Sequence, residues 1–126
     1  MIYVKLTNGF GNNLFQYNAA RLLADHHGTE AIAIAPSVDY YGIKPLLDIG
    51  VKFGNMPTGH LVVVSGDREY INCFGKKLNN KVLLSGYFED YRYYYRCRKK
   101  IKSWFPEIEK RNNKDLVVHL RTGDRL

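Results

Sequence analysis

Short apolar runs alternate along the chain with stretches whose apolar residues recur every three or four positions. Residues 2–6 (Ile-Tyr-Val-Lys-Leu) alternate as a half-buried strand does. Residues 12–27 carry Phe15, Ala19, Leu22, Leu23 and His26 on one stripe of the 3.6-residue period, which predicts a helix ended by Gly28. A second strand is expected over 31–35, stopped by Pro36. Residues 37–59 are rich in turn formers, with a short helix over 45–48. A third strand (61–65), a helix (67–78) and a fourth strand (82–85) follow. The next helix spans 89–104, with Tyr94, Cys97, Ile101 and Trp104 as its buried line, Glu89 and Asp90 at the positive end of its dipole, and Pro106 closing it. A polar connector over 110–115 leads to a fifth strand over 116–120. Strand–helix alternation with short connections predicts an α/β fold, a Rossmann-like parallel sheet with helices covering both faces.

Composition narrows the picture less. A chain of 126 residues has room for one core, and a net charge of +7 suits a phosphorylated ligand, a nucleic acid or an anionic membrane surface without choosing among them. The opening strand has no basic segment leading into an apolar one, so no signal peptide is expected, and no apolar run approaches the ~20 residues that span a bilayer. Cys73 and Cys97 have neither metal-ligand nor disulfide spacing and are expected as free thiols in a reducing cytoplasm.

Three segments carry candidate chemistry. The first, residues 7–16 (Thr-Asn-Gly-Phe-Gly-Asn-Asn-Leu-Phe-Gln), joins strand one to helix one. Gly9 and Gly11 allow a sharp turn and close ligand approach, the helix start offers free N–H groups, Asn12 is placed to cap, and Asn13 to reach into a cleft. Leu14 stands where a dinucleotide fingerprint has its third glycine, which argues against that ligand. The second, residues 84–94, runs Leu-Ser-Gly-Tyr-Phe-Glu-Asp-Tyr-Arg-Tyr-Tyr. Here Gly86 turns the strand end, Tyr87 offers a flat face and a hydroxyl to a sugar, and Phe88 is expected in the core. The helix beyond it carries Arg92, Arg96, Arg98, Lys99, Lys100 and Lys102 among tyrosines, a pattern that a nucleic-acid surface or an anionic lipid contact also uses. No known nucleic-acid module surrounds it.

The third segment, residues 116–124 (Leu-Val-Val-His-Leu-Arg-Thr-Gly-Asp), puts His119 and Arg121 on the same side of a strand, with Arg121 emerging at its C-terminal end. A guanidinium spans two phosphate oxygens and an imidazole N–H donates to another, so the pair can stabilise a leaving diphosphate without a metal. Asp124 can hold Arg121 or the turn in place.

Residues 1–24 and the later G-Y-F and H-L-R-T-G-D segments resemble, in order, the G-x-G-N-Q-L-F-Q-Y-A, G-Y-F-Q-x-x-K-Y-F and H-x-R-R-x-D motifs of the family 11 glycosyltransferases, the α-1,2-fucosyltransferases. Asn13 stands where that family has Gln, Asn18 where it has Ala, and Thr122 where a second Arg is common. The resemblance implies the N-terminal lobe of a two-lobed, GT-B-type enzyme. Residues 1–109 would form the acceptor-side lobe, and 110–126 would open a truncated GDP-fucose-binding lobe. The implied reaction is inverting transfer of L-fucose from GDP-β-L-fucose to a galactoside 2-hydroxyl of a glycan, with no cofactor and no metal. Arg121 and His119 would act on the diphosphate, and Asp124 is the one, poorly placed, candidate base. Gly9, Gly11, Asn12, Asn13 and Tyr87 would line the substrate cleft. The implied location is cytoplasmic, with peripheral contact at the inner membrane face. Two other readings stay open: a non-catalytic remnant or sugar-binding module of the same fold, and a basic nucleic-acid-binding domain.

Overall fold

A computed structural model describes residues 1–7 and 9–106. Four strands, β1 (Ile2–Lys5), β2 (Ala31–Ile34), β3 (Leu61–Val64) and β4 (Lys81–Leu84), form one parallel sheet in the order β2-β1-β4-β3. A single parallel bridge between Ala33 and Phe53 extends it past β2. Helices α1 (Phe10–His26), α2 (Ile43–Asp48) and α3 (Asp67–Phe74) occupy the connections, and α4 (Arg92–Tyr95) and α5 (Arg98–Ser103) follow β4. The α/β arrangement expected from the alternation is therefore present. The expected fifth strand over 116–120 lies outside the described residues.

β1 puts Ile2, Val4 and Leu6 on one face, all buried, and these meet Ala19, Ala20 and Leu23 of α1 in the main core. Register makes a second apolar row through the centre, Val4–Leu84–Val64, also buried. α1 packs on β1 and β2 and touches α3, and the Tyr70 hydroxyl of α3 donates to the Ala19 carbonyl of α1 at 2.9 Å. Expectation and structure part on the opposite face. There Tyr3 is half-buried, Lys5 exposed and Val63 54% exposed, so among the described residues that face is not sealed.

The helix expected over 89–104 is two short helices. Tyr93 packs against Tyr70, while Tyr94 packs against Phe15 and its hydroxyl donates to the Phe88 and Phe15 carbonyls. Adjacent positions on a regular helix diverge by about 100°. That divergence lets Tyr93 and Tyr94 of α4 meet different partners, and the interruption falls after them, at Arg96 and Cys97, in a run of residues with modest helix propensity. Tyr94, Cys97, Ile101 and Trp104 are only half-buried. Asp90 does act at the start of α4, accepting the Arg92 backbone N–H at 3.0 Å. α5 is fastened to α1 by the Lys100–Asp25 ion pair and by the Arg21 guanidinium, 4.5 Å above the Trp104 ring. Cys73 is buried and Cys97 half-buried, both as free thiols.

Candidate functional site

The strand order places β1 and β4 side by side at the centre, and their C-terminal ends lead into α1 and α4, which belong to the same helical layer. Open parallel sheets bind ligands beyond the carboxyl ends of their strands. Both of the first two sequence motifs converge there.

α1 begins two residues earlier than the pattern suggested, at Phe10. Gly9 is its N-cap with φ 99°, a conformation that costs an L-residue strain, and no side chain caps the helix. Asn12, expected as the cap, is half-buried inside the first turn. Gly9 makes the turn alone. Gly11 is helical, and a Cβ there would meet nothing within 4 Å, so its lack of a side chain leaves open space on the outer face of α1.

Asn13 is fully buried, and its amide nitrogen donates to the Tyr40 hydroxyl from the loop after β2. Its Oδ1 has no partner among the described residues. The expectation that Asn13 lines an open cleft is thus corrected: α1 starting at Phe10 turns position 13 inward, onto the side that carries Ala20 and Leu23.

Gln16 joins the two motifs. Its Oε1 accepts from the Thr7 backbone N–H at 3.1 Å and the Thr7 hydroxyl at 3.3 Å, while its Nε2 donates to the Gly86 carbonyl at 2.9 Å. One fully buried amide therefore sets the end of β1 against the end of β4. Gln16 is not among the positions expected from sequence to carry function. The signal was present, because positions 13, 16, 20, 23 and 24 form a helical stripe in which two amides replace apolar residues.

Gly86 serves close approach and not chain reversal. A Cβ there would lie 2.8 Å from the Ser65 carbonyl oxygen and 3.3 Å from the Phe88 ring. Gly86→Ala is expected to cost about 1–3 kcal/mol, since the neighbour that must yield is backbone. Urea unfolding checks this, and an unchanged midpoint would mean the β3 and β4 ends are not in contact. Phe88 beyond it is buried, as expected, and holds φ 54°, an uncommon left-handed conformation for a bulky residue. Tyr87, between them, is 55% exposed and free to meet a ligand.

The tyrosines nearby do not supply a base. Burial pushes the phenols of Tyr70 and Tyr94 well above the ordinary tyrosine range. Tyr93 is pushed up to about 12, by burial first and then by the nearby Asp67 carboxylate. All three stay neutral near pH 7 and serve as packing faces and hydroxyl donors. The basic segment is partly paired: Arg92 with Asp90 at 2.5 Å, and Lys100 with Asp25. Arg92 holds the Asp90 carboxyl below its usual range through their hydrogen bonds.

Of the substrate-side positions expected from sequence, the structure places Gly9 at the N-cap of α1, Gly11 and Asn12 in its first turn, and Tyr87 beyond the end of β4. Asn13 it buries. His119, Arg121 and Asp124 lie outside the described residues. Among the described residues no group of three His, Cys, Asp or Glu side chains is placed to hold a metal, and no helix is long and apolar enough to cross a membrane. Comparison of the chain with protein-family models, with curated proteins and with solved structures finds no match.

Proposed function

We propose that these residues are the acceptor-side, N-terminal part of a GT-B-type glycosyltransferase that moves L-fucose from GDP-β-L-fucose to a galactoside 2-hydroxyl. The observation that supports it most directly is the Gln16 bridge. The two segments that resemble family 11 motifs lie far apart in sequence, yet one buried amide holds them together at the ligand-binding end of a parallel sheet.

In this reading the acceptor O2 attacks the fucose anomeric carbon from the face opposite GDP. The bond from that carbon to the β-phosphate oxygen breaks with its electron pair going to GDP, and the β linkage becomes α. Arg121 and His119 take the growing charge on the diphosphate. The O2 proton passes to a base, for which Asp124 is the candidate in this chain. The work of charge neutralisation falls to the guanidinium, so no metal is required. Gly9, Asn12 and the exposed Tyr87 face the acceptor sugar. A cytoplasmic location with peripheral contact at the inner membrane face belongs to the same proposal.

The test uses a protein carrying these 126 residues together with a complete nucleotide-binding lobe. GDP is expected to bind in preference to ADP, and Arg121→Ala to weaken GDP binding about 10–100-fold, the loss of one or two charge-assisted hydrogen bonds. The 126 residues alone are expected to transfer little or no fucose. Equal affinity for GDP and ADP, with no effect of the substitution, would leave only a sugar-binding module. Tight RNA or DNA binding that falls steeply with salt would mark the basic alternative.

A further inference from the structure

A groove of about 570 Å³ runs along the outer face of α1, closed on its far side by α4 and α5. That volume lies within the ~300–1,000 Å³ typical of small-molecule sites. Its walls are Leu14, Phe15, Tyr94 and Ile101, and its charged lining residues are Arg98 and Lys102. Among the described residues no acidic side chain lines it. The absent side chain of Gly11 keeps the end nearest the β1–α1 turn open.

We propose that this groove binds a single-chain anionic amphiphile, an aliphatic chain ending in a phosphate. The assignment stands apart from the fucosyl-transfer reading and uses none of its residues except the space at Gly11. An apolar trough removes hydrocarbon from water along its length, and the two lining cations, Arg98 and Lys102, select the charge of the head. Arg98 is held in position for this: its guanidinium sits 4.7 Å above the Tyr95 ring, and its Nη1 donates to the Tyr95 carbonyl at 3.1 Å. That leaves other N–H groups of the fork for a phosphate.

The same geometry disfavours two other anionic partners. Single-stranded nucleic acid stacks bases on open aromatic faces. Here one face of Tyr95 is covered by Arg98, and Tyr94 is packed on Phe15 and Tyr93. A bilayer surface takes a long amphipathic helix lying flat. α4 has four residues and α5 six, and the feature is concave.

The experiment titrates the whole chain with dodecyl phosphate below its micelle concentration, reading amide chemical shifts. Saturable shifts are expected at Phe15, Asn18 and Ile101, with binding about tenfold tighter than for neutral dodecyl maltoside. Arg98→Ala with Lys102→Ala should erase that tenfold preference while the far-ultraviolet spectrum stays unchanged. Ile101→Trp, which fills the trough, should abolish the shifts, and retained dispersion of the remaining amides will show that this variant is folded. The proposal is overturned if inorganic phosphate binds as tightly as the amphiphile, or if neutral and anionic chains bind alike. It is equally overturned if binding appears only with phosphatidylserine vesicles, or if oligo(dT) competes at the same residues more tightly than dodecyl phosphate.

Discussion

Gln16→Leu is expected to destabilise the folded chain by about 1–3 kcal/mol, because it leaves two half-buried backbone groups without their partner. Leucine nearly matches the volume of glutamine, so packing changes little. What disappears is the acceptor for Thr7 N–H and the donor to Gly86 C=O. Urea unfolding followed by the fluorescence of Trp104, the single tryptophan, measures the loss. Amide exchange separates the local effect from the global one. The Thr7 amide should exchange faster in the variant even under conditions where the α1 amides remain protected. A change below about 1 kcal/mol would mean that the ends of β1 and β4 are set by something other than this amide. The variant also bears on function. If the β1–α1 turn and the Gly86–Tyr87 segment form one ligand surface, loosening their tie should weaken acceptor binding in a complete enzyme more than it slows transfer at saturating acceptor.

Leu84→Ala should cost about 2–5 kcal/mol, the range for truncating a fully buried leucine in a core that cannot collapse around the space. Leu84 sits in the central strand β4, between Val4 of β1 and Val64 of β3, and is completely buried. Its neighbours are held by parallel strand pairing on both sides, so the backbone has little freedom to close the cavity. The same urea experiment reads the result. A loss near zero would contradict the strand order, because only a central β4 places Leu84 beyond the reach of solvent. Val63→Ala is the natural control. Val63 faces the open side of the sheet and is 54% exposed, so its truncation should cost much less.

How far the sequence could be read is clearest in α1. The apolar period announced a helix, and the glycine at its start announced a turn. The buried stripe differs in phase from the expected one, because Phe15 and His26, though large, are exposed. The side that faces the sheet carries Ala19, Ala20, Leu23 and Ala24 together with Asn13 and Gln16. Small residues let α1 approach β1 and β2 closely, and two buried amides are tolerated only because Tyr40, Thr7 and Gly86 come from elsewhere to meet them. No local pattern reveals such partners.

Strand β4 and the segment after it show the same division. Val82, Leu83 and Leu84 identify a buried strand on their own, and Phe88 was legible as core. The period predicts one helix over 89–104, yet the backbone is interrupted at Arg96 and Cys97, between α4 and α5.

The order of short apolar runs and amphipathic segments was enough to establish an α/β chain with a glycine turn after its first strand, because periodicity and turn chemistry act between residues close in sequence. Which strand lies at the centre, that Gln16 meets both Thr7 and Gly86, that Asn13 turns inward and that Gly11 opens onto a groove were decided only by the tertiary structure. Each of these depends on groups brought together from distant parts of the chain, where hydrogen-bond satisfaction and close packing, and not local preference, select the arrangement.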